Sequence, residues 1–121
     1  MGHKDLEAWK RAIQLVKTIY TITADFPESE KFGLINQARR CAVSIPSNIA
    51  EGAARNSDKE MIRFLYISLG SLSELDTQLI VANEIGFFDY TKEIEAQLTS
   101  VRKPLLGLIK YLKSKGVKSE G

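Results

Sequence analysis

The 121-residue chain carries 44% hydrophobic and 26% charged side chains, enough apolar mass for one core and too balanced a mixture for a disordered or fibrous protein. Its net charge of +2 does not by itself announce a nucleic-acid partner, and a single cysteine with a single histidine excludes an internal disulfide and a structural zinc site. No apolar run approaches the ~20 residues a membrane span needs, and residues 2–5 are polar where a secretory signal would build its core, so one cytoplasmic domain over 1–121 is expected.

Met1-Gly2-His3 is compatible with a non-native leader, which would start the chain proper near Lys4. From there Leu6, Trp9, Ile13, Val16 and Tyr20 alternate steps of three and four, predicting a helix over about 4–24 with Trp9 and Tyr20 in the core. Asp25-Phe26-Pro27 interrupts it, because Pro27 cannot continue the hydrogen-bond ladder yet suits a first helical turn. Glu28 and Glu30 complement a helix N-terminus, so a second helix is expected over about 28–55. Its apolar face reads Leu34, Ala38, Cys41 or Ala42, Ile45, Ile49 and Ala53.

Ser57 followed by Glu60 is a capping box, in which hydroxyl and carboxylate each satisfy an orphan amide. It opens a third helix over about 58–85, with Met61, Leu65, Ser68, Leu72, Leu75, Leu79 and Ala82 on one face and Gly86 at the left-handed C-terminal cap. After Phe87-Phe88-Asp89, the row Ile94, Leu98, Val101, Leu105, Leu108 and Leu112 predicts a fourth helix over about 90–114, closed at Gly116 and followed by a basic tail over 115–121. Pro46 and Pro104 fall inside helices two and four, where each deletes an amide and should kink its helix, either to wrap the core or, at Pro46, to re-aim Ser47-Asn48. The β-branched residues sit at helical spacing and no hairpin dipeptide occurs, so no strand is expected. Four rods on short loops must run antiparallel to their neighbours, and the fold class is all-α: an antiparallel up-and-down four-helix bundle.

Two helices carry a second apolar row: Ala12, Leu15, Ile19 and Ile22 in helix one, and Ile62, Tyr66, Leu69 and Ile80 in helix three. A broad core-facing stripe accounts for part of this. A slim bundle has little interior for both rows, which favours self-association into a closed homo-oligomer.

No catalytic constellation stands out. There is no phosphate-cradling glycine loop and no nucleophile elbow. Glu51 with Glu74 or Glu84 could pair as bundle carboxylates do in di-iron proteins, but those sites need Glu-x-x-His and the only histidine is His3, so neither metal nor cofactor is expected. Cys41 reads as a small buried hydrophobe rather than a reactive thiol. The chain is expected not to be an enzyme.

The informative polar residues are Arg39, Arg40, Ser44, Ser47, Asn48, Glu51 and Arg55 on helix two, with Ser71, Ser73 and Glu74 on helix three. Charges beside apolar rows need partners, so one reading is a polar network or subunit interface of Ser44, Asn48, Glu51, Ser73 and Glu74, with Arg40 paired to Glu51 or Glu74. The other is a basic surface of Arg39, Arg40, Arg55, Lys110 and Lys113 facing RNA or another nucleic acid, Arg gripping phosphate bidentately. Charge is also unevenly distributed: six acidic residues against Lys92 alone between Glu74 and Glu95, then six basic residues against Glu120 alone from Arg102 onward. The Lys110, Lys113, Lys115 and Lys118 series is either a solvated helix end complementing the dipole or a phosphate-contacting tail.

The strings Asp5-Leu6 through Trp9, Phe32-Gly33-Leu34, Arg39-Arg40-Cys41-Ala42-Val43-Ser44-Ile45-Pro46-Ser47-Asn48-Ile49-Ala50-Glu51-Gly52 and Gly70-Ser71-Leu72-Ser73-Glu74-Leu75 together resemble the four helix bundle protein family, over about 4–113. Its members are encoded by intervening sequences in bacterial 23S rRNA genes and are similar to the accessory variability proteins of diversity-generating retroelements. The Ser-Ile-Pro-x-Asn-Ile-Ala-Glu-Gly string is its most specific part; Cys41 stands where a small Ala is common. The resemblance implies a homopentameric ring with a central channel, an association with nucleic acid or a ribonucleoprotein, and no catalytic residue. In the retroelement relatives a basic surface binds nucleic acid and a reverse transcriptase, and the matching residues here are Arg39, Arg40 and Arg55. The expected function is therefore a non-enzymatic, oligomeric RNA-associated protein. The alternative is a protein-interaction scaffold, such as an accessory subunit to a reverse transcriptase or other ribonucleoprotein.

Overall fold

A computed structural model describes the backbone of residues 2–120 and the side chains through Lys115. Four helices form: α1 Glu7–Thr23, α2 Leu34–Ala53, α3 Asp58–Glu84 and α4 Lys92–Glu120, with 3₁₀ turns at His3–Asp5 and Glu28–Glu30 and no strand among the described residues. Each helix packs on its two neighbours around a square, α1 on α2, α2 on α3, α3 on α4 and α4 back on α1, with no close backbone approach across either diagonal among the described residues. Short connections force each successive pair antiparallel, giving an up-and-down four-helix bundle.

All four helices feed one core. Leu15 and Ile19 of α1, Ile45 and Ile49 of α2, Leu65, Leu72, Leu75 and Leu79 of α3, and Leu98, Val101 and Leu105 of α4 are sealed from solvent. Each such side chain contributes about 1.5–3 kcal/mol of burial free energy, so the core holds the helices in register far more strongly than their individual propensities could.

Helix one is set in a different phase from the one its largest residues suggest. The face it buries is Ala8, Ala12, Leu15, Ile19 and Thr23. The expected core row is left on the flank: Leu6, Trp9 and Val16 are half-buried, and Ile13 and Tyr20 remain 44% and 43% exposed. Ala8 and Ala12, like Ala38 and Ala42 of α2, are almost wholly covered. Small side chains let two backbones draw together, and the bulkier row beside them is then turned outward.

The second helix begins at Leu34 rather than near residue 28. Glu30 is the cause: its Oε1 accepts the Leu34 amide at 3.2 Å, so the acid caps α2 from outside instead of occupying its first turn. α2 also ends at Ala53, leaving Arg55 in the connecting turn. In contrast, α3 follows the sequence closely. Ser57 Oγ accepts the Glu60 amide at 3.2 Å. At the other end Gly86 adopts φ +86°, while Phe87 N–H reaches Ala82 O at 2.9 Å and Gly86 N–H reaches Asn83 O at 3.1 Å, a complete Schellman cap.

α4 starts at Lys92, capped by Thr91, whose Oγ1 accepts the Ile94 amide at 3.3 Å. It continues to Glu120, so Gly116 does not close it and the expected basic tail over 115–121 is helical as far as residue 120; Gly121 lies outside the described residues. A glycine inside a helix costs only about 1 kcal/mol, too little to stop a run flanked by good helix formers such as Lys113 and Lys115. Near its end the buried row shifts from Leu108, half-buried, to Ile109, buried, as expected when a 3.6-residue turn outruns a 3.5-residue pattern. Helical backbone runs through both Pro46 and Pro104.

Two local features fix the bundle ends. At Gly52 an added Cβ would lie 2.8 Å from Phe64 Cβ and 3.2 Å from the Met61 carbonyl, so the last turn of α2 can meet the start of α3 only as glycine. At the opposite end Phe26, from the α1–α2 connection, packs on Phe87 and Phe88 from the α3–α4 connection, with ring centroids 6.0 and 6.4 Å apart.

Candidate binding surfaces

The five basic residues singled out in the sequence do not form one patch. Arg39 and Arg40 lie in the second turn of α2, whereas Arg55 follows its end, and the helix from Arg40 to Ala53, thirteen residues on, already separates the groups by roughly 20 Å. Lys110 and Lys113 belong with Arg55, because Lys113 Nζ donates to Tyr66 Oη at 2.7 Å and Lys115 lies 3.3 Å from Asp58, seating the α4 C-terminal turns against the start of α3.

Arg39 is engaged in the fold. Its Nε donates to Thr23 Oγ1 at 2.9 Å, a terminal nitrogen reaches the Tyr20 carbonyl at 3.4 Å, and the guanidinium lies 4.5 Å from the Tyr20 ring centroid. It is a cation held over the C-terminal carbonyls of α1, where the helix dipole favours it. Half-buried, with two of its five N–H donors bonded to α1 and its guanidinium over the Tyr20 ring, Arg39 is tied into the fold.

Arg40 points to solvent, and the expected pairing with Glu51 or Glu74 is not formed: no carboxylate lies within 4.0 Å of it among the described residues. Glu51 is eleven residues away, about 16 Å along the same helix, and takes Arg55 at 3.0 Å instead. Arg40 borders two shallow surface hollows. One, of about 590 Å³, is lined by Tyr20, Asn36, Arg39, Val43 and Ser44. The other, of about 280 Å³, holds Asn36, Gln37, Cys41, Ser44, Glu74 and Gln78.

The proposed polar network is likewise redistributed. Ser44 Oγ donates to the Cys41 carbonyl at 2.7 Å and Asn48 Nδ2 to the Ser44 carbonyl at 2.8 Å, both within α2 and on either side of the turn that Pro46 disturbs. Ser73 and Glu51 face solvent, and Glu74 meets Gln78 on its own helix at 3.5 Å. The bonds that cross from α2 to α3 come from elsewhere: Ser68 Oγ donates to the Ile45 carbonyl at 2.8 Å, and Cys41 Sγ to the Ser71 carbonyl at 3.0 Å. Ser68 was visible as the one hydroxyl in an aliphatic row. Burial, reinforced by the nearby Glu74 carboxylate, pushes the Cys41 thiol up to about 11, leaving it protonated and unreactive at neutral pH.

A further polar latch had no signal in sequence spacing. The Tyr90 hydroxyl donates to Asp76, which Arg102 approaches at 4.0 Å, tying the α3–α4 connection to both helices. Burial, then the Asp76 contact, holds the Tyr90 hydroxyl above its ordinary range.

Two apolar surfaces stand out among the described residues, and Ile67, Val81, Ile85 and Tyr111 are exposed besides. One runs along α1 and α2, where Ile13, Tyr20 and Val43 are exposed beside half-buried Trp9 and Val16. The other lies on α3 and α4, with Tyr66, Ile80 and Leu106 exposed beside half-buried Ile62 and Leu69. Phe32, in the turn before α2, is 86% exposed. No three His, Cys, Asp or Glu side chains converge as metal ligands among the described residues, and no described helix is long and apolar enough to cross a membrane.

This combination defines an antiparallel four-helix bundle with apolar side chains exposed on its flanks. The chain belongs to the 23S rRNA-intervening sequence protein family, whose family model matches residues 4–107. That span takes in α1, α2, α3 and most of α4, including the whole Ser44–Gly52 motif. Comparison with curated proteins found no match.

Proposed function

We propose that this protein is a non-enzymatic RNA-binding oligomer of the cytoplasm, in which copies of the bundle close into a ring, five in number as its family resemblance implies. The carrying observation is the pair of uncovered apolar surfaces, one on α1 and α2 and one on α3 and α4. Two different patches on one chain suit a head-to-tail interface, and such interfaces generate a ring when the rotation closes. A ring also multiplies a weak per-chain basic surface into a useful field, which a net charge of +2 per chain could not otherwise provide.

Retention of structured RNA on the purified protein, measured between 50 and 200 mM salt, tests the reading. The expected result is binding whose logarithm falls linearly with the logarithm of salt concentration. Salt-independent retention, or none, would reject it.

Phe32 favours a second reading, a scaffold for another protein such as a polymerase of a ribonucleoprotein, because a phenylalanine 86% exposed at a turn is a ready anchor. A partner held through apolar contacts stays bound in high salt, where phosphate contacts are screened.

A further inference from the structure

Resting on the RNA-binding reading above, we infer that the phosphate backbone is engaged by only one end of the bundle, the end formed by the α2–α3 turn and the last turns of α4, and that Arg39 and Arg40 are not part of that surface. At the opposite end, where α1 and α3 finish and α2 begins, Asp25, Glu28, Glu30, Glu84, Asp89, Glu93 and Glu95 still outnumber Lys17, Lys31, Arg39, Arg40 and Lys92, and Arg39 is held on the end of α1. A polyanion is repelled there.

At the proposed end, which the start of α1 shares, the acids among the described residues are paired except Asp5, with Glu7 taking Arg11 at 3.1 Å. Glu51 takes Arg55 at 3.0 Å, Glu60 takes Arg63 at 3.4 Å, and Asp58 takes Lys115 at 3.3 Å. Lys59, Lys110 and Lys113 have no carboxylate within 4.0 Å among the described residues and supply the surplus positive charge. Lys103, Lys110 and Lys113 follow one another at seven- and three-residue steps, which places them along one side of α4.

Several of these cations are also held in position. The guanidinium groups of Arg55 and Arg63 lie 4.7 and 5.5 Å from the Phe64 ring centroid, and Lys113 lies 5.0 Å from that of Tyr66. A cation resting on an aromatic face loses less conformational freedom when it meets a phosphate, so the surface is partly preorganised. In a cyclic assembly whose bundle axes run along the rotation axis, every protomer would present this end to the same rim, making one rim basic and the other acidic.

The test uses fluorescence anisotropy with a labelled structured RNA across 50–200 mM salt. Lys59→Ala, Lys110→Ala and Lys113→Ala together should lower the magnitude of the salt slope by about one for each lysine lost per engaged protomer and weaken binding at least roughly tenfold at the lower salt. Lys31→Ala with Lys92→Ala, at the acidic end, should leave both unchanged, and circular dichroism should show intact helix in both proteins. The assignment is overturned if the triple variant binds like the unaltered protein, if the acidic-end variant loses the binding, or if poly-glutamate competes as well as RNA of matched charge. Loss of binding on Arg40→Ala alone, with the triple variant unaffected, would refute the choice of end while leaving the RNA reading intact. Absence of salt-dependent binding by the unaltered protein would remove both.

Discussion

Replacing glycine with alanine should have opposite effects at different positions in this bundle. Gly52 has no room, since the new Cβ would sit 2.8 Å from Phe64 Cβ and 3.2 Å from the Met61 carbonyl, and neither atom is the end of a flexible side chain. Forcing an extra carbon into such a contact costs about 1–3 kcal/mol. The helix-propensity gain from alanine returns at most about 0.5–1 kcal/mol, so Gly52→Ala should lose a net of roughly 0.5–2 kcal/mol. Gly70 and Gly107 lie within α3 and α4 with nothing inside 4 Å of the added carbon, so alanine there should gain about 0.5–1 kcal/mol. Thermal melts followed by circular dichroism at one fixed protein concentration resolve the difference, because 1 kcal/mol moves Tm by roughly 3–6 °C in a chain of this size. If Gly52→Ala melted at or above the temperature of Gly70→Ala, the close α2–α3 approach would be wrong.

Arg39→Ala removes two hydrogen bonds and the Tyr20 stack, and a loss of about 1–2 kcal/mol in urea unfolding is expected; an unchanged midpoint would contradict its role in holding α1 to α2. Ser68→Ala strips the buried Ile45 carbonyl of its cross-helix donor and should cost about 1 kcal/mol, whereas Ser73→Ala, on the exposed side of α3, should be neutral by the same measurement. Cys41 should react with a thiol reagent at pH 8 far more slowly in the folded protein than in urea. Its folded pKa, about 11, is raised above the unfolded value of 9.0, so its stabilising contribution is complete below pH 9 and is lost as pH rises towards 11. Cys41→Ala should flatten that alkaline decline, and an identical pH profile in the variant would refute the assignment.

The sequence disclosed the elements better than their faces. α3 was readable because three independent signals agree there: the Ser57 cap, an unbroken aliphatic row and Gly86. Hydrophobic pattern misphases α1 because it weighs Trp9, Ile13 and Tyr20 above Ala8 and Ala12, while the bundle buries the smaller set. Sequence places the start of α2 too early because an acid near a helix N-terminus reads the same whether it lies inside the first turn or, like Glu30, caps it from outside. Among the surface residues, the list of arginines could be read but their commitments could not. Whether a guanidinium is free or spent depends on what a helix sixteen residues earlier presents, and Arg39 meets Thr23 and Tyr20. The opposite charges of the 74–95 and 102–115 regions were visible, and the antiparallel topology converts that difference along the chain into a difference between the two ends of the bundle.

The native mass in solution tests most directly whether the exposed rows of α1–α2 and α3–α4 are subunit contacts. Light scattering at micromolar concentration should give about five times the 13.5 kDa chain mass, and substituting Ile13→Glu or Ile80→Glu should reduce it while helicity is kept. A mass of 13.5 kDa for the unaltered protein would contradict the account.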